Sequence, residues 1–190
     1  MASYSSSDFK NGLKVLIEGE PFNIIDTEFH KPGKGQAFNK LKLKNLKNGK
    51  VLEKTIKIGN SLEKADVQTR DMQFLYSDGE QYHFMDSESY EQIAISKDTI
   101  GEVKIWLKEE SVCNITLWND GAIGVEPPNF IESRIIKTDP GLKGDTAQGG
   151  VKPAEIETGA NIKVPLFIDE GEIIKVDTRT GDYVSRVKGD

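Results

Sequence analysis

The sequence predicts an all-β protein made of three small β-barrel domains in series, and three observations carry that expectation. Most apolar residues fall in short alternating runs closed by Gly, Asn-Gly or Asp-Gly turns, the pattern of half-buried strands. Only one segment, Thr99 to Glu110, carries a helical period. The hydrophobic fraction of 36% across 190 residues is low for one large core, and mean hydropathy is −0.48. Several small domains, each with more surface per residue, fit those figures better.

In chain order, Leu13 to Glu18 and Phe22 to Glu28 read as two strands around a tight turn at Gly19-Glu20-Pro21. Beyond the segment 30–37, Phe38 to Lys44 alternates Lys40, Lys42 and Lys44 with Leu41 and Leu43, giving one wet and one buried face. Asn48-Gly49 is the strongest two-residue hairpin signal, because both central residues of a type I′ turn need φ > 0. Val51 to Ile58 returns, and Gly59-Asn60-Ser61 marks a candidate boundary. So many strands in so short a span, with no helical period, read as a small barrel.

A second unit repeats the style. Gln73 to Tyr76, the turn Asp78-Gly79, Gln81 to Asp86 and Tyr90 to Ile95 precede the helical segment, which takes Asp98 as its N-cap and buries Ile100, Val103 and Leu107, with Trp106 flanking. Val112 to Trp118, the turn Asn119-Asp120-Gly121 and Ala122 to Glu126 complete it. Pro127-Pro128 is a stiff break. The third unit runs Phe130 to Thr138, a polar loop Asp139 to Gly150, then Val151–Glu157, Asn161–Ile168, Glu172–Asp177 and Tyr183–Val187. Units two and three have the proportions of five-stranded OB-type barrels. The expected domains are 1–64, 65–128 and 129–190.

Between the second and third expected strands lies His30-Lys31-Pro32-Gly33-Lys34-Gly35-Gln36-Ala37. Pro32 fixes φ and Gly33 allows φ > 0, the pair that a type II turn asks for at its centre. Lys34 then stands between two residues without side chains, an amine held at a hairpin tip with clear space around it. A lone exposed lysine in a turn ordinarily serves solubility, so the rest of the chain has to raise it above that.

Charge does so in part. Residues 1–64 carry 12 Lys and 7 acids, net +5; residues 65–128 are net −9 and residues 129–190 net −2. Within 31–57 there are nine lysines against Glu53 alone. Polyphosphate would be drawn to one end and repelled by the middle, although alternating lysines also keep exposed strands soluble. Cys113, the one cysteine, excludes an internal disulfide and sits in a strand-like run, as a reduced core thiol does. No stretch approaches the roughly 20 apolar residues of a membrane span. The first residues, Met1 to Asp8, lack a basic region followed by an apolar one, so the expected compartment is the cytoplasm.

Motifs for self-contained chemistry are missing. His30, His83 and Cys113 have no zinc spacing. Gly141-Leu142-Lys143-Gly144-Asp145-Thr146 has the wrong order for a phosphate-binding loop, and no Gly-x-Ser-x-Gly elbow occurs. His83, between aromatics in a strand, reads as a packed or edge histidine. The chain is not expected to be an enzyme, and no cofactor or metal is implied.

Over its whole length the chain resembles bacterial elongation factor P. The run Lys152-x-Ala154-x₄-Gly159-x₂-Ile162-x-Val164-Pro165-x₂-Ile168-x₂-Gly171 is similar to that family's C-terminal signature. Asp78-Gly79 leading into Tyr82-His83-Phe84-Met85-Asp86, Gly144-Asp145-Thr146, and Pro32 to Ala37 match it as well. The resemblance implies an SH3-like (KOW) barrel followed by two OB-type barrels, arranged as a tRNA-like L. It implies a monomeric translation elongation factor that binds the 70S ribosome between the peptidyl and exit sites. There it would contact ribosomal RNA and peptidyl-tRNA, above all prolyl, and relieve stalls at consecutive prolines. It further implies that Lys34 becomes β-lysyl-hydroxylysine, made by a lysine aminomutase, a β-lysyl ligase and a hydroxylase. His30, Lys31, Pro32, Gly33, Lys34, Gly35 and Gln36 would form the tRNA-contacting loop. Gly144, Asp145 and Thr146, with Tyr183 and Arg186, would contact the ribosome and messenger.

Two other readings stand beside this one. An elongation factor P-like paralogue shares all three domains, and the Pro-Gly-Lys-Gly tip favours the factor itself. A general single-strand RNA-binding protein built from OB barrels is opposed by the net −9 of residues 65–128, since backbone-tracking grooves are basic.

Overall fold

The structure, a computed structural model, describes residues 2–140 and 150–187. The first sheet comprises β1 (Ser3–Ser5), β2 (Lys14–Ile17), β3 (Glu20–His30), β4 (Phe38–Asn45), β5 (Val51–Lys57) and β6 (Ser61–Lys64), in the order β1-β6-β2-β3-β4-β5. The alternation in β4 is as expected. Leu41 and Leu43 are fully buried with Val15, Phe22, Ile24 and Ile56, while Lys40, Lys42 and Lys44 face solvent.

Three local expectations are corrected. The first turn falls at Glu18-Gly19, both left-handed (φ 54° and 80°), because Glu20 and Pro21 already pair with Ile17 and Leu16 and leave two residues to reverse the chain. Asn48-Gly49 is not a type I′ turn: only Gly49 is left-handed. The buried Asn45 side chain accepts the backbone N–H groups of Lys47 and Asn48 at 2.8 and 3.2 Å, which organises a longer loop one step earlier. Gly59 turns the chain, but no break follows it, since β6 pairs with both β1 and β2.

The second sheet comprises β7 (Val67–Ser77), β8 (Gln81–Asp86), β9 (Gln92–Ser96), β10 (Val112–Trp118) and β11 (Gly121–Glu126), in the order β11-β10-β7-β8-β9. Asn119 and Asp120 join β10 to β11 with φ of 49° and 62°, the paired left-handed residues of a type I′ turn. Tyr90 lies in a turn ahead of β9 and is exposed. The predicted helix is largely replaced. One α turn, α1 (Lys97–Ile100), capped by the Ser96 hydroxyl rather than by Asp98, gives way to a 3₁₀ helix, Gly101–Trp106. Gly101 takes φ 54°, ψ −132°, a conformation open to a residue without Cβ and incompatible with a continuing α-helix. Ile100 and Leu107 are buried all the same.

Cys113 is completely buried on β10, and burial pushes its thiol up to about 11. At pH 8 a maleimide should leave the native protein unlabelled and react only once denaturant is added, since the thiolate is the nucleophile. Rapid labelling of the folded chain would contradict this placement.

The Asp78-Gly79 turn is held by its own carboxylate, which accepts the N–H groups of Glu80 and Gln81 at 3.0 and 2.8 Å and pairs with His83 Nε2 at 3.1 Å. His83 stacks on Tyr76 at 4.4 Å within the sheet, on β8 between β7 and β9, so it is the packed rather than the edge histidine of its sequence reading. The His83 bond foremost, then the two backbone N–H groups, lower the Asp78 carboxyl to about 2. A depressed acid stabilises the fold fully above the ordinary carboxylate value and loses that contribution as pH falls through about 2. NMR of the Asp78 carboxyl should give a midpoint near 2; a midpoint at the ordinary aspartate value would remove these bonds from the folded turn.

The third sheet closes on itself: β12 (Phe130–Thr138), β13 (Val151–Ile156), β14 (Asn161–Pro165), β16 (Asp182–Arg186) and β15 (Ile173–Asp177), in that order around a barrel. Closure rests on the parallel pairing of β14 with β16 at Lys163 and Asp182. Ile131, Ile135, Ile156, Val164, Ile168 and Ile174 fill it. Strand β14 stops at Pro165, short of the expected Ile168, whose N–H bonds Pro165 O in a turn while its side chain still plugs the core. By backbone proximity the chain groups into two compact units, Met1–Arg70 with Ile115–Gly124, and Asp71–Asn114 with Val125–Asp190. No helix among the described residues is long and apolar enough to cross a membrane.

Candidate functional site

Strands β3 and β4 pair from Phe22↔Asn45 out to His30↔Phe38, a long ribbon with one bulge between Ile24 and Asp26, and β5 flanks β4 out to Phe38↔Lys57. Residues 31–37 join them. Both feet of this loop are tied. On one side the His30 ring stacks on Phe38 at 5.1 Å and its Nε2 lies 3.1 Å from Glu28 Oε2. On the other, Gln36 Nε2 donates to Ile58 O at 3.0 Å, and Ile58 N donates to Ala37 O at 3.0 Å. Lys31 to Gln36 are all exposed between those anchors, with Lys34 near the middle.

The reversal differs from the expected type II turn. Gly33 is not left-handed; Gly35 is, at φ +114°. A loop of this length does not need a two-residue turn at its apex, so the special conformation moves to the residue that brings the chain back over Pro32. A Cβ at Gly35 would meet Pro32 Cγ at 3.7 Å, whereas one at Gly33 would meet nothing within 4 Å. The space around Lys34 is therefore real, but Gly33 supplies clearance and Gly35 supplies the bend.

The loop residues named from the sequence, His30, Lys31, Pro32, Gly33, Lys34, Gly35 and Gln36, all sit at this tip. His30 and Gln36 brace it, and the residues between are presented. Along the ribbon, Lys40 Nζ bonds Glu53 Oε2 at 2.8 Å, which raises the lysine and lowers the glutamate from their ordinary values. The pair is exposed, so it orders the surface more than it stabilises the fold.

Gly144, Asp145 and Thr146 lie outside the described residues. Tyr183 and Arg186 lie on β16. The Tyr183 ring packs on the barrel core, and Arg186 Nη1 bonds Glu172 Oε1 at 2.9 Å. The Asp169 N–H and then Arg186 hold the Glu172 carboxyl below its ordinary value. Two residues take places that the sequence reading did not assign them. Lys152 is buried in β13 and donates to Asp139 O at 2.7 Å; its period-two spacing with Ala154 and Ile156 was the available signal. Phe29, next to the tip, is 61% exposed, and nothing in a strand pattern marks a ring that its own core leaves uncovered.

Comparison with known families accounts for most of the chain. Residues 5–62 match the elongation factor P KOW-like domain, 67–125 the elongation factor P OB domain, and 131–186 the elongation factor P C-terminal domain. Three such domains in this order define a translation elongation factor, a protein that works in association with the ribosome. The chain belongs to the elongation factor P family. Solved structures share the fold over about two thirds of it. Eukaryotic translation initiation factor 5A from Methanococcus jannaschii is 23% identical, with a TM-score of 0.52 over 66% of this chain and 91% of that one. A translation initiation factor eif-5a family protein from Naegleria fowleri is 17% identical, with a TM-score of 0.51 over 66% and 97%.

Proposed function

We propose that this factor binds the 70S ribosome between the peptidyl and exit sites and speeds peptide-bond formation at consecutive prolines, with Lys34 bracing the acceptor end of peptidyl-tRNA. The observation that carries this reading is an exposed, glycine-flanked amine on a ribbon whose loop is tied at both feet. Proline's locked φ and constrained secondary amine make it a poor partner in coupling. The ribosome supplies the catalyst, so a helper need only order the reactants, an effect worth up to ~7–11 kcal/mol in favourable cases. A small part of that relieves a stall.

In this reading Lys34 carries a β-lysyl group and a hydroxyl, added by a lysine aminomutase, a β-lysyl ligase and a hydroxylase. Extension lengthens the amine's reach and adds donors without touching the barrel. Residues 1–64, 65–128 and 129–190 act as the three domains. Gly144, Asp145 and Thr146, with Tyr183 and Arg186, meet the small subunit near the exit-site codon. The protein works as a cytoplasmic monomer and contributes no chemistry of its own. Mass analysis of protein from its natural host should show added mass on the Lys34 peptide, and binding to ribosomes should saturate while binding to free oligonucleotides stays weak and salt-sensitive. Unmodified protein that restores full proline-run synthesis would sink the role given to the modification.

A further inference from the structure

We infer that Phe29 is a second contact of the hairpin arm with RNA, a ring on which an unpaired nucleotide of the peptidyl-tRNA acceptor end stacks while Lys34 holds the same strand. This rests on the reading of Lys34 given above. The register supplies the first argument. Paired residues of an antiparallel ribbon share a face, and Phe29↔Asn39 and Thr27↔Leu41 place Phe29 on the side that carries the buried Leu41 and Asn39 and the half-buried Thr27. Leu41 is fully buried, and Asn39, 5% exposed, ends the covered part by donating to Ser6 O at 2.6 Å. Phe29, the partner of Asn39 across the ribbon, lies on the outer half of β3, beyond Asn23 where the pairing with β2 ends, and its ring is 61% exposed.

The opposite face supplies the second. There the outermost ring, Phe38, is covered by His30, whereas among the described residues Phe29 makes no ring contact. The arm thus satisfies one aromatic side chain internally and leaves the other open beside its presented amine. The third argument is charge: residues 26–57, which include the ring, carry nine lysines against Asp26, Glu28 and Glu53, so the open ring sits on a net basic arm. An aromatic face with cations nearby is the combination that holds single-stranded nucleic acid, by base stacking and backbone attraction.

The test compares fully modified wild-type, Phe29→Ala, Phe29→Leu and Phe29→Tyr proteins, their modification checked by mass, in a ribosomal assay of proline-proline synthesis with the factor titrated. Loss of a base stack should raise the concentration for half-maximal stimulation about tenfold for Phe29→Ala. Phe29→Leu should be nearly as poor, and Phe29→Tyr close to wild type. The saturating rate and the melting temperature should stay unchanged. A role in packing alone would be restored by leucine, so equal titrations for leucine and phenylalanine overturn the inference. So does a Phe29→Ala protein that is poorly modified in cells but, compared unmodified against unmodified wild type, titrates identically; the ring would then serve a modifying enzyme. Lys34→Ala in the same assay separates the two readings. If it is fully active the reading of Lys34 has failed; if it is inactive while every Phe29 variant matches wild type, only the stacking contact has.

Discussion

Cells whose only copy carries Lys34→Ala should pause at consecutive prolines as cells without the factor do. The side chain stands in solvent between two glycines, so its removal costs the fold little, within about 0.5 kcal/mol for an exposed site away from special features. The functional loss should be large because Lys34 is the amine at the middle of the loop, with Lys31 standing back at its foot beside His30. A tenfold fall in coupling rate corresponds to about 1.4 kcal/mol of lost transition-state positioning, and the expected loss is at least that. Lys34→Arg is the informative companion. It keeps charge and length but cannot be acylated as an amine, so it should remain defective if the extension matters and recover if charge alone suffices. Ribosome profiling at proline runs, with the melting temperature of each purified variant, reads both effects. Wild-type translation speed through such runs in the alanine strain would end the proposal.

The largest loss of stability should come from Leu41→Ala, with Lys42→Ala as its control one residue away. Leu41 is fully buried among Val15, Ile24 and Leu43, at the point where the ribbon still has a core beneath it. Truncating a buried leucine costs about 2–5 kcal/mol, from lost transfer energy and the cavity left behind. That is much of what a small domain has to spare. Lys42 faces solvent on the same strand, and its loss should stay within about 0.5 kcal/mol. Urea unfolding of the two variants would show it. Equal destabilisation would mean that β4 is not seated in the register described.

The same strand shows why so much of the first sheet was legible. A side-chain period of two in 38–45, with leucine and lysine taking turns, leaves one way to bury the leucines. Strands Phe130–Thr138 and Val112–Trp118 were bounded correctly for the same reason. The misses cluster where a local signal met a tertiary partner. Asn48-Gly49 looked like a two-residue turn until the Asn45 side chain, itself buried, captured the loop ahead of it. The helix over 99–110 had its apolar spacing and largely lost its α geometry, because Gly101 let the chain tighten to 3₁₀ while Ile100 and Leu107 kept their places in the core. Periodicity reports which residues must be inside; it does not report the backbone path that puts them there.

At the tip the division is sharper. The sequence alone determined the all-β class, the exposed lysine and the glycines beside it, since these follow from residue types and their spacing. Only the folded chain decided that Gly35 rather than Gly33 carries the bend, that His30 and Gln36 fasten the loop, and that the Phe29 ring is left exposed. Each of those depends on what lies across from a residue, and partners across a sheet are set by register and by where the core ends, quantities that no single strand contains.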